Sequence, residues 1–395
     1  MLTRFGLNRN LSVLSATIFV NVFARFTWDP LLPLYLRRLG ASDFEIGVAF
    51  SLMTLARSLF SIFGGALADR YGRRAVLALP MFAIGALFIA ASATTDRALL
   101  IALLVLANAF AALQWPALAA MTAESAVNDQ LARAYSWIEA AVLIGLIGGP
   151  LIGAALLGIL DIPGLIAING IVLLAMGAVR MVALRETALT ARGASVHQVR
   201  AAFNANMLWF IALMCLEAAA FSIVFGPFFA IFARDAWQLS ETDINLLFSL
   251  GSFASFLGIG LGRLTDRWGA RRVVWTNALG FGIAAAVWGI APSWEWGIVP
   301  LLLAFGFAEG FLIARQTMQA EITTKETRSS VIGVIATISG FAGGIAPTLG
   351  VWLIILGGNA APFIAVGAMG LLMAVSVAPI AKGKYHQDAK EIHNS

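Results

Sequence analysis

Gly65-Ala66-Leu67-Ala68-Asp69-Arg70-Tyr71-Gly72-Arg73-Arg74 lies between two long apolar runs, and a degenerate copy, Gly262-Arg263-Leu264-Thr265-Asp266-Arg267-Trp268-Gly269-Ala270-Arg271-Arg272, lies between two more. Asp69 answers to Asp266, an offset of 197 residues, or about half the chain. The same offset relates Pro150-Leu151-Ile152-Gly153 to Pro347-Thr348-Leu349-Gly350, Pro30 to Pro227, and Glu124 to Glu321. Four landmarks in one register indicate an internal duplication. In the second copy Ala270 interrupts, so the pair Arg271-Arg272 reads as displaced by one place.

The 395 residues are 60% hydrophobic and 12% charged, with mean hydropathy +0.87. Soluble domains carry about 25% charged residues, and a soluble core cannot hold this much apolar side chain. The solvent is therefore lipid. Apolar runs of about 20 residues are long enough to span the hydrocarbon as helices. Twelve such runs fall near residues 11–36, 44–68, 75–95, 98–122, 134–160, 163–184, 204–234, 243–265, 272–292, 297–320, 329–356 and 360–381. The first contains Asp29-Pro30 and is too long for a signal-peptide core, so it reads as a retained span. The expected fold is an all-α membrane protein with twelve transmembrane helices in two pseudo-symmetric six-helix halves. The halves are residues 1–184 and 204–381, joined by a linker at 185–203 and followed by a polar tail at 382–395.

Basic residues decide the orientation, because they accumulate in cytoplasmic loops. With the N-terminus cytoplasmic, nineteen Lys and Arg fall on the inner side and four (Arg37, Arg38, Arg97, Arg234) on the outer. Both termini are expected in the cytoplasm, the protein lying in a plasma or inner cell membrane. The net charge of +5 follows from the same loops and needs no nucleic-acid partner. Cys215 is the sole cysteine, and His197, His386 and His393 lie in polar stretches, which excludes a disulfide framework and an intramembrane histidine metal site. Gly258, Gly260 and Gly262 follow no strand and fail as a nucleotide loop. No nucleophile–base arrangement or ATP motif is present. The expectation is a non-enzyme without cofactor.

The 65–74 stretch resembles the signature between the second and third helices of the major facilitator superfamily, roughly G-x-L-a-D-r-x-G-R-R/K. Gly65, Leu67, Asp69, Arg70, Gly72, Arg73 and Arg74 fill its strong positions. The resemblance extends over the whole chain and implies the major facilitator fold with alternating access. It implies a cytoplasmic latch made by Gly65, Asp69, Arg70, Gly72, Arg73 and Arg74, with Asp266, Arg267, Gly269 and Arg271 in the second copy. Independently, Gly65 and Gly72 are expected to let backbones approach, and the charges to pair near a helix N-terminus.

Gly145-Leu146-Ile147-Gly148-Gly149-Pro150-Leu151-Ile152-Gly153-Ala154 is similar to a fifth-span pattern of the family's drug:proton antiporters, with Ala154 for a final glycine. Gly145, Gly149, Pro150 and Gly153 would make a close-packing helix that can bend, as would Pro30, Pro227, Pro347 and Gly350 at their own positions. The fourth span, Ala107 to Pro116, lacks the arginine that many proton-coupled members carry.

Ionisable residues within a span are functional candidates. Five lie deep: Arg25, Asp29, Arg57, Glu217 and Glu309. The resemblance implies that spans one, four, seven and ten line a central cavity, and all but Arg57 fall on these. Arg25 and Asp29 share a helix face and can form a self-neutralising pair, or Arg57 can be the partner of Asp29. Glu217 and Glu309 have no cation within a helical turn. Each is protonated, paired with Arg25 or Arg57, or a proton carrier. Arg315 is expected at a helix end, pairing at the surface. Trp28, Asn108, Gln114, Trp115, Phe221 and Phe225 are cavity candidates.

The expected function is proton-coupled export of small lipophilic or cationic compounds by a monomer, with small-molecule substrate, protons and membrane lipid as partners. A metabolite or organic-anion symporter or uniporter, and a non-transporting receptor or scaffold, remain alternatives.

Overall fold

The computed structural model describes residues 8–126, 131–187, 204–262, 264–323 and 328–380. Most of the predicted linker, the polar tail and the Asp266 side chain lie outside the described residues. Those residues are all-helical: α1 (Arg9–Phe26), a 3-10 turn (Asp29–Leu31), α2 (Leu32–Arg38), α3 (Asp43–Tyr71), α4 (Arg73–Ser92), α5 (Arg97–Glu124), α6 (Leu131–Leu156) and α7 (Ile162–Ala183). There follow α8 (Ala205–Val224), α9 (Pro227–Trp237), α10 (Glu241–Gly262), α11 (Leu264–Trp268), α12 (Ala270–Gly289), α13 (Trp294–Ile322), α14 (Arg328–Gly357) and α15 (Ala361–Val377).

Polar residues between apolar runs start the helices. Ser42 and Glu45 form a reciprocal capping box on α3, and Asn8, Asp96, Asp161 and Asn204 each accept a backbone N–H at the start of α1, α5, α7 and α8. Among the described residues nine helical stretches are long and apolar enough to cross a membrane, the first running through α1 and α2, and α15 is a shorter apolar helix. The predicted eighth and ninth spans are helical as α10 and α12 but are not among these nine. In α12, Arg271, Arg272 and Asn277 lower the apolar content. By length and composition the twelve predicted spans are thus not all reached.

The first and seventh spans are each broken. Pro30 has no N–H to give the Phe26 carbonyl, and the chain tightens into the 3-10 turn before α2. At the same register Phe225 and Gly226 separate α8 from α9, with Pro227 as the first residue of α9.

Two compact units emerge, Met1–Thr190 with Gly226–Ser252, and Ala191–Phe225 with Phe253–Ser395. In the first, α1 packs on α6 and α7, α4 on α5 and α7, and α3 on α5. In the second, α8 packs on α14 and α15, and α12 on α13 and α15, so the pairs made by α1 and α4 are repeated by their register counterparts α8 and α12. Glycines allow the same crossing twice. A Cβ on Gly85 would stand 2.7 Å from the Gly170 carbonyl oxygen, and one on Gly282 would stand 3.1 Å from that of Gly367. Small residues are what bring helices together where lipid removes the hydrophobic drive between them.

Candidate functional site

The duplicated stretch makes a compact polar knot in its first copy. Gly72 ends α3 at φ +90°, and a Cβ there would press on the Glu186 carboxylate at 2.5 Å. That carboxylate accepts the Arg73 N–H at 2.7 Å and the Arg74 N–H at 3.2 Å, capping α4 with a negative charge. The buried Arg73 side chain reaches Asp69 at 2.6 Å and Glu124 at 3.5 Å, while Arg74 donates to the Met181 carbonyl. Arg70 is exposed and lies 5.3 Å from the Tyr71 ring centroid.

Two expectations are corrected here. Gly64, not Gly65, is the close-approach glycine: a Cβ on Gly64 would overlap the Leu113 backbone, whereas one on Gly65 meets only the Pro116 side chain at 3.8 Å. The second copy is not displaced by one place. Gly269 ends its turn at φ +83° as Gly72 does, and Arg271 donates to the Ala378 carbonyl as Arg74 does to that of Met181. Ala270 therefore replaces Arg73, and Glu321, the counterpart of Glu124, is exposed. Arg267 is exposed too.

In the first unit Arg25 and Asp29 pair, with Nε donating to Oδ1 at 2.7 Å. The Arg25 guanidinium sits 4.5 Å from the Trp28 ring centroid and 5.1 Å from that of Phe88. Trp28 is fully buried, its Nε1 donating to Asn169 at 3.2 Å, so it is a core residue under the ion pair rather than a cavity wall. Arg57 is not the partner of Asp29. Its Nη2 donates to Asn108 Oδ1 at 2.7 Å, and the Asn108 amide in turn donates to the Leu104 carbonyl at 2.8 Å. Gln114 is also engaged, accepting from Arg180 Nη1 at 2.9 Å, and Trp115 is exposed.

Arg180, in the last turn of α7, is buried. It is 3% exposed and donates to Thr17 Oγ1 at 2.9 Å and the Leu77 carbonyl at 3.1 Å as well as to Gln114. Its last-turn position in α7 hid it, and only the two polar side chains facing it from other spans, Thr17 and Gln114, could have signalled burial.

In the second unit Glu217 has a cation after all. Arg315 Nε stands 2.9 Å from Glu217 Oε1, the side chains being 19% and 5% exposed. Arg315 is therefore an interior partner rather than a surface one; the pairing joins α8 to α13 across nearly a hundred residues of sequence, beyond any local spacing rule. Glu309 is partly buried where α13 crosses α10 closely, a Cβ on Gly258 standing 2.5 Å from the Glu309 Cβ. Phe225 stacks on Phe281 at 6.0 Å between ring centroids, Phe221 meets Phe281 at a tilt at 5.0 Å, and Phe225 meets Phe305 at 4.7 Å.

The glycine face of α6 lies along α1. Cβ atoms on Gly145 and Gly149 would come to 2.9 Å from Val22 and 2.6 Å from the Phe23 carbonyl oxygen, and Gly153 lies against the Thr27 carbonyl. Pro150 sits inside α6 and Pro347 inside α14, where Gly350 is buried.

This geometry has relatives. The family profile described as Major Facilitator Superfamily matches residues 14–232 and again 215–393. The multidrug resistance protein MdtG of Proteus mirabilis is 28% identical over 296 residues, 69% of this chain and 71% of that protein. The quinolone resistance protein NorA of Staphylococcus aureus (strain Mu50) is 24% identical over 147 residues, which span only 38% of its length. Among solved structures, a bacterial homolog of the human lysosomal transporter Spinster superposes with TM-score 0.78 at 15% identity, covering 95% of this chain and 97% of that one. The human organic anion transporter MFSD10 (TETRAN) superposes with TM-score 0.72 at 17% identity, covering 93% and 99%. These likenesses show the fold, the profile shows the lineage, and the chain belongs to the Major Facilitator Superfamily as a multi-pass membrane protein.

Proposed function

We propose that this protein is a proton-coupled exporter of small lipophilic or cationic compounds, alternating between two accessible states of its six-helix halves, residues 1–184 and 204–381. Both termini are cytoplasmic, the membrane is the plasma or inner membrane, and the Gly72 and Gly269 turns form a cytoplasmic latch. The chain acts as a monomer in lipid.

The observation that carries the reading is the buried Glu217–Arg315 contact at 2.9 Å. A carboxylate beside one guanidinium in a low-dielectric interior is a two-state element. As an anion it holds the arginine; once protonated it lets go. The Arg25–Asp29 pair beside the break in α1 supplies a second such element. The relatives named as a multidrug resistance protein, MdtG, and a quinolone resistance protein, NorA, support a drug-like cargo.

The test is proton release from purified protein on adding a fluoroquinolone or ethidium, with wild type beside Glu217→Gln and Asp29→Asn. Release by wild type that one variant abolishes supports antiport. Binding without release by wild type overturns proton coupling.

One observation favours a second reading. The Arg57 side chain is accessible and its hydrogen bond goes to a neutral amide, Asn108, leaving its charge available to an anion. A symporter or uniporter of an organic anion would use it. Protection of Arg57 from a guanidine-specific reagent by an anionic compound, and not by ethidium, would favour that reading.

A further inference from the structure

The break in α1 sets a carbonyl loose. The Leu31 N–H turns to the Trp28 oxygen at 2.9 Å, so it does not close an α-helical turn onto Thr27. Asn245, in α10, supplies the donor: its Nδ2 lies 2.9 Å from the Thr27 oxygen, and the residue is 0% exposed. Asn245 Oδ1 has no partner among the described residues, so this donated bond is what holds the amide. One turn further along the same face of α10, Ser249 Oγ donates to the Ile147 carbonyl in α6 at 2.7 Å. Gly153 makes room for both backbones. A Cβ there would overlap the Thr27 carbonyl and stand 2.8 Å from Asn245 Nδ2.

Charges draw the same elements together. Arg37 in α2 reaches Asp43 at 2.7 Å and Asp235 in α9 at 2.8 Å, and Arg38 pairs with Glu241 at the start of α10. Asp235 stands where the 197-residue register would repeat Arg38, so a repulsion becomes an attraction. The register counterpart of Asn245 is Val48, so the amide was installed once only.

We propose that Asn245 is a positioning residue. It seats α10 on the α1 break and thereby ties closure of the Arg37 end of the bundle to the Arg25–Asp29 pair, two residues from Thr27. The inference rests on the alternating-access part of the proposed function. It does not depend on cargo or on proton coupling.

The test uses the full chain with Cys215→Ser and spin labels at Thr95→Cys and Ala236→Cys, exposed positions near that end. Electron–electron distance measurement then gives the ratio of short to long populations. Losing the donor while leaving a buried carbonyl unpaired corresponds to about a 10-fold change. Asn245→Leu is expected to lower the short population by that factor, and Gly153→Ala to act in the same direction. Asp29→Asn is expected to shift the ratio in the Asn245 background and not in the Asn245→Leu background. Asn245→Ser, which can satisfy its hydroxyl within α10, is expected to match Asn245→Leu and serves if the leucine variant does not fold. A ratio within about 2-fold of wild type in Asn245→Leu or Asn245→Ser overturns the proposal. So does an Asp29→Asn effect of equal size in both backgrounds, or one short population in every variant. Failure of the proton-release experiment would sink the exporter reading and leave these ratios unaffected.

Discussion

Arg315 meets Glu217 as a charge more than as a directed donor: Nε lies 2.9 Å from Oε1 without an aligned hydrogen bond, and Nη1 lies 3.8 Å from the Met214 sulfur. Such a pair costs more to break than it contributes when whole. Removing one member of a buried pair strands the other, at about 3–5 kcal/mol when both are fully enclosed. Arg315 keeps 19% of its surface, so the lower end applies. Arg315→Gln should lower the thermal midpoint in detergent, followed by tryptophan fluorescence, and adding Glu217→Gln should recover most of the loss. A double variant no more stable than Arg315→Gln would show that Arg315 does not serve Glu217.

Arg180 presents the opposite case, a buried cation whose observed acceptors, Thr17, Leu77 and Gln114, are all neutral. These acceptors lie on α1, α4 and α5, so one guanidinium on α7 ties together four helices. Arg180→Ala takes this donor from Gln114 Oε1, while the Thr17 hydroxyl keeps its bond to the Val13 carbonyl, so the loss is roughly 1–3 kcal/mol if Gln114 finds no water. Arg180→Lys should not rescue fully, because a compact ammonium lacks the planar fork that reaches three directions. The check is a thermal melt of both variants. An Arg180→Ala protein as stable as wild type would mean that the site hydrates freely.

Much of the architecture was legible because it is periodic. Apolar runs announce helices wherever lipid is the solvent, and the 197-residue register located both Gly72 and Gly269 at positive φ. The breaks at Pro30 and Pro227 were readable because proline removes a backbone donor whatever surrounds it. Side-chain partnership was not legible. Arg315 looked like a helix-end residue, and the end position of Arg180 gave no sign of its burial, because a sequence reports depth along a helix but not which face turns inward. Asn245 and Glu186 were missed for a related reason: each acts on a backbone group exposed by a break or a helix start elsewhere in the chain. The apparent one-place displacement of Arg271-Arg272 came from matching residue types, where the backbone shows a simple replacement of Arg73 by Ala270.

The glycine crossings should tolerate no side chain. A Cβ on Gly170 would stand 2.8 Å from the Gly85 carbonyl oxygen, and one on Gly370 would stand 2.7 Å from the Gly282 Cα. In each case the obstacle is backbone, which cannot turn aside. Gly170→Val and Gly370→Val should each force α7 or α15 outward, at a cost of about 1–3 kcal/mol or more for overpacking. Gly260→Ala, where a Cβ would meet nothing within 4 Å, is the matched control. Size-exclusion profiles and melts of the three variants decide it. If Gly370→Val behaves like Gly260→Ala, the two helices are farther apart in the folded protein than this geometry requires.

Arg73, Arg70 and Glu186 of the first turn should separate cleanly. Arg73 is 4% exposed and bound to Asp69 and Glu124, so Arg73→Ala takes the cation from Glu124, leaving it the Thr187 hydroxyl, and should cost on the order of 2 kcal/mol. Arg70 is exposed and touches only the Tyr71 ring among the described contacts, so Arg70→Ala should stay within about 0.5 kcal/mol of wild type. Glu186→Gln keeps the shape of the cap on α4 but removes the anion facing two N–H groups at a helix start, a loss of about 1 kcal/mol. The second copy offers the converse. Ala270→Arg would place a guanidinium at the register position of Arg73, in a site 3% open, with the exposed Glu321 at the register position of Glu124. If the partnership with Glu124 is what makes Arg73 tolerable, Ala270→Arg should be accommodated and Ala270→Leu should not be better. Melting all five variants in one detergent orders them. Arg70→Ala as damaging as Arg73→Ala would mean that the turn depends on net positive charge, not on the Asp69–Arg73–Glu124 geometry.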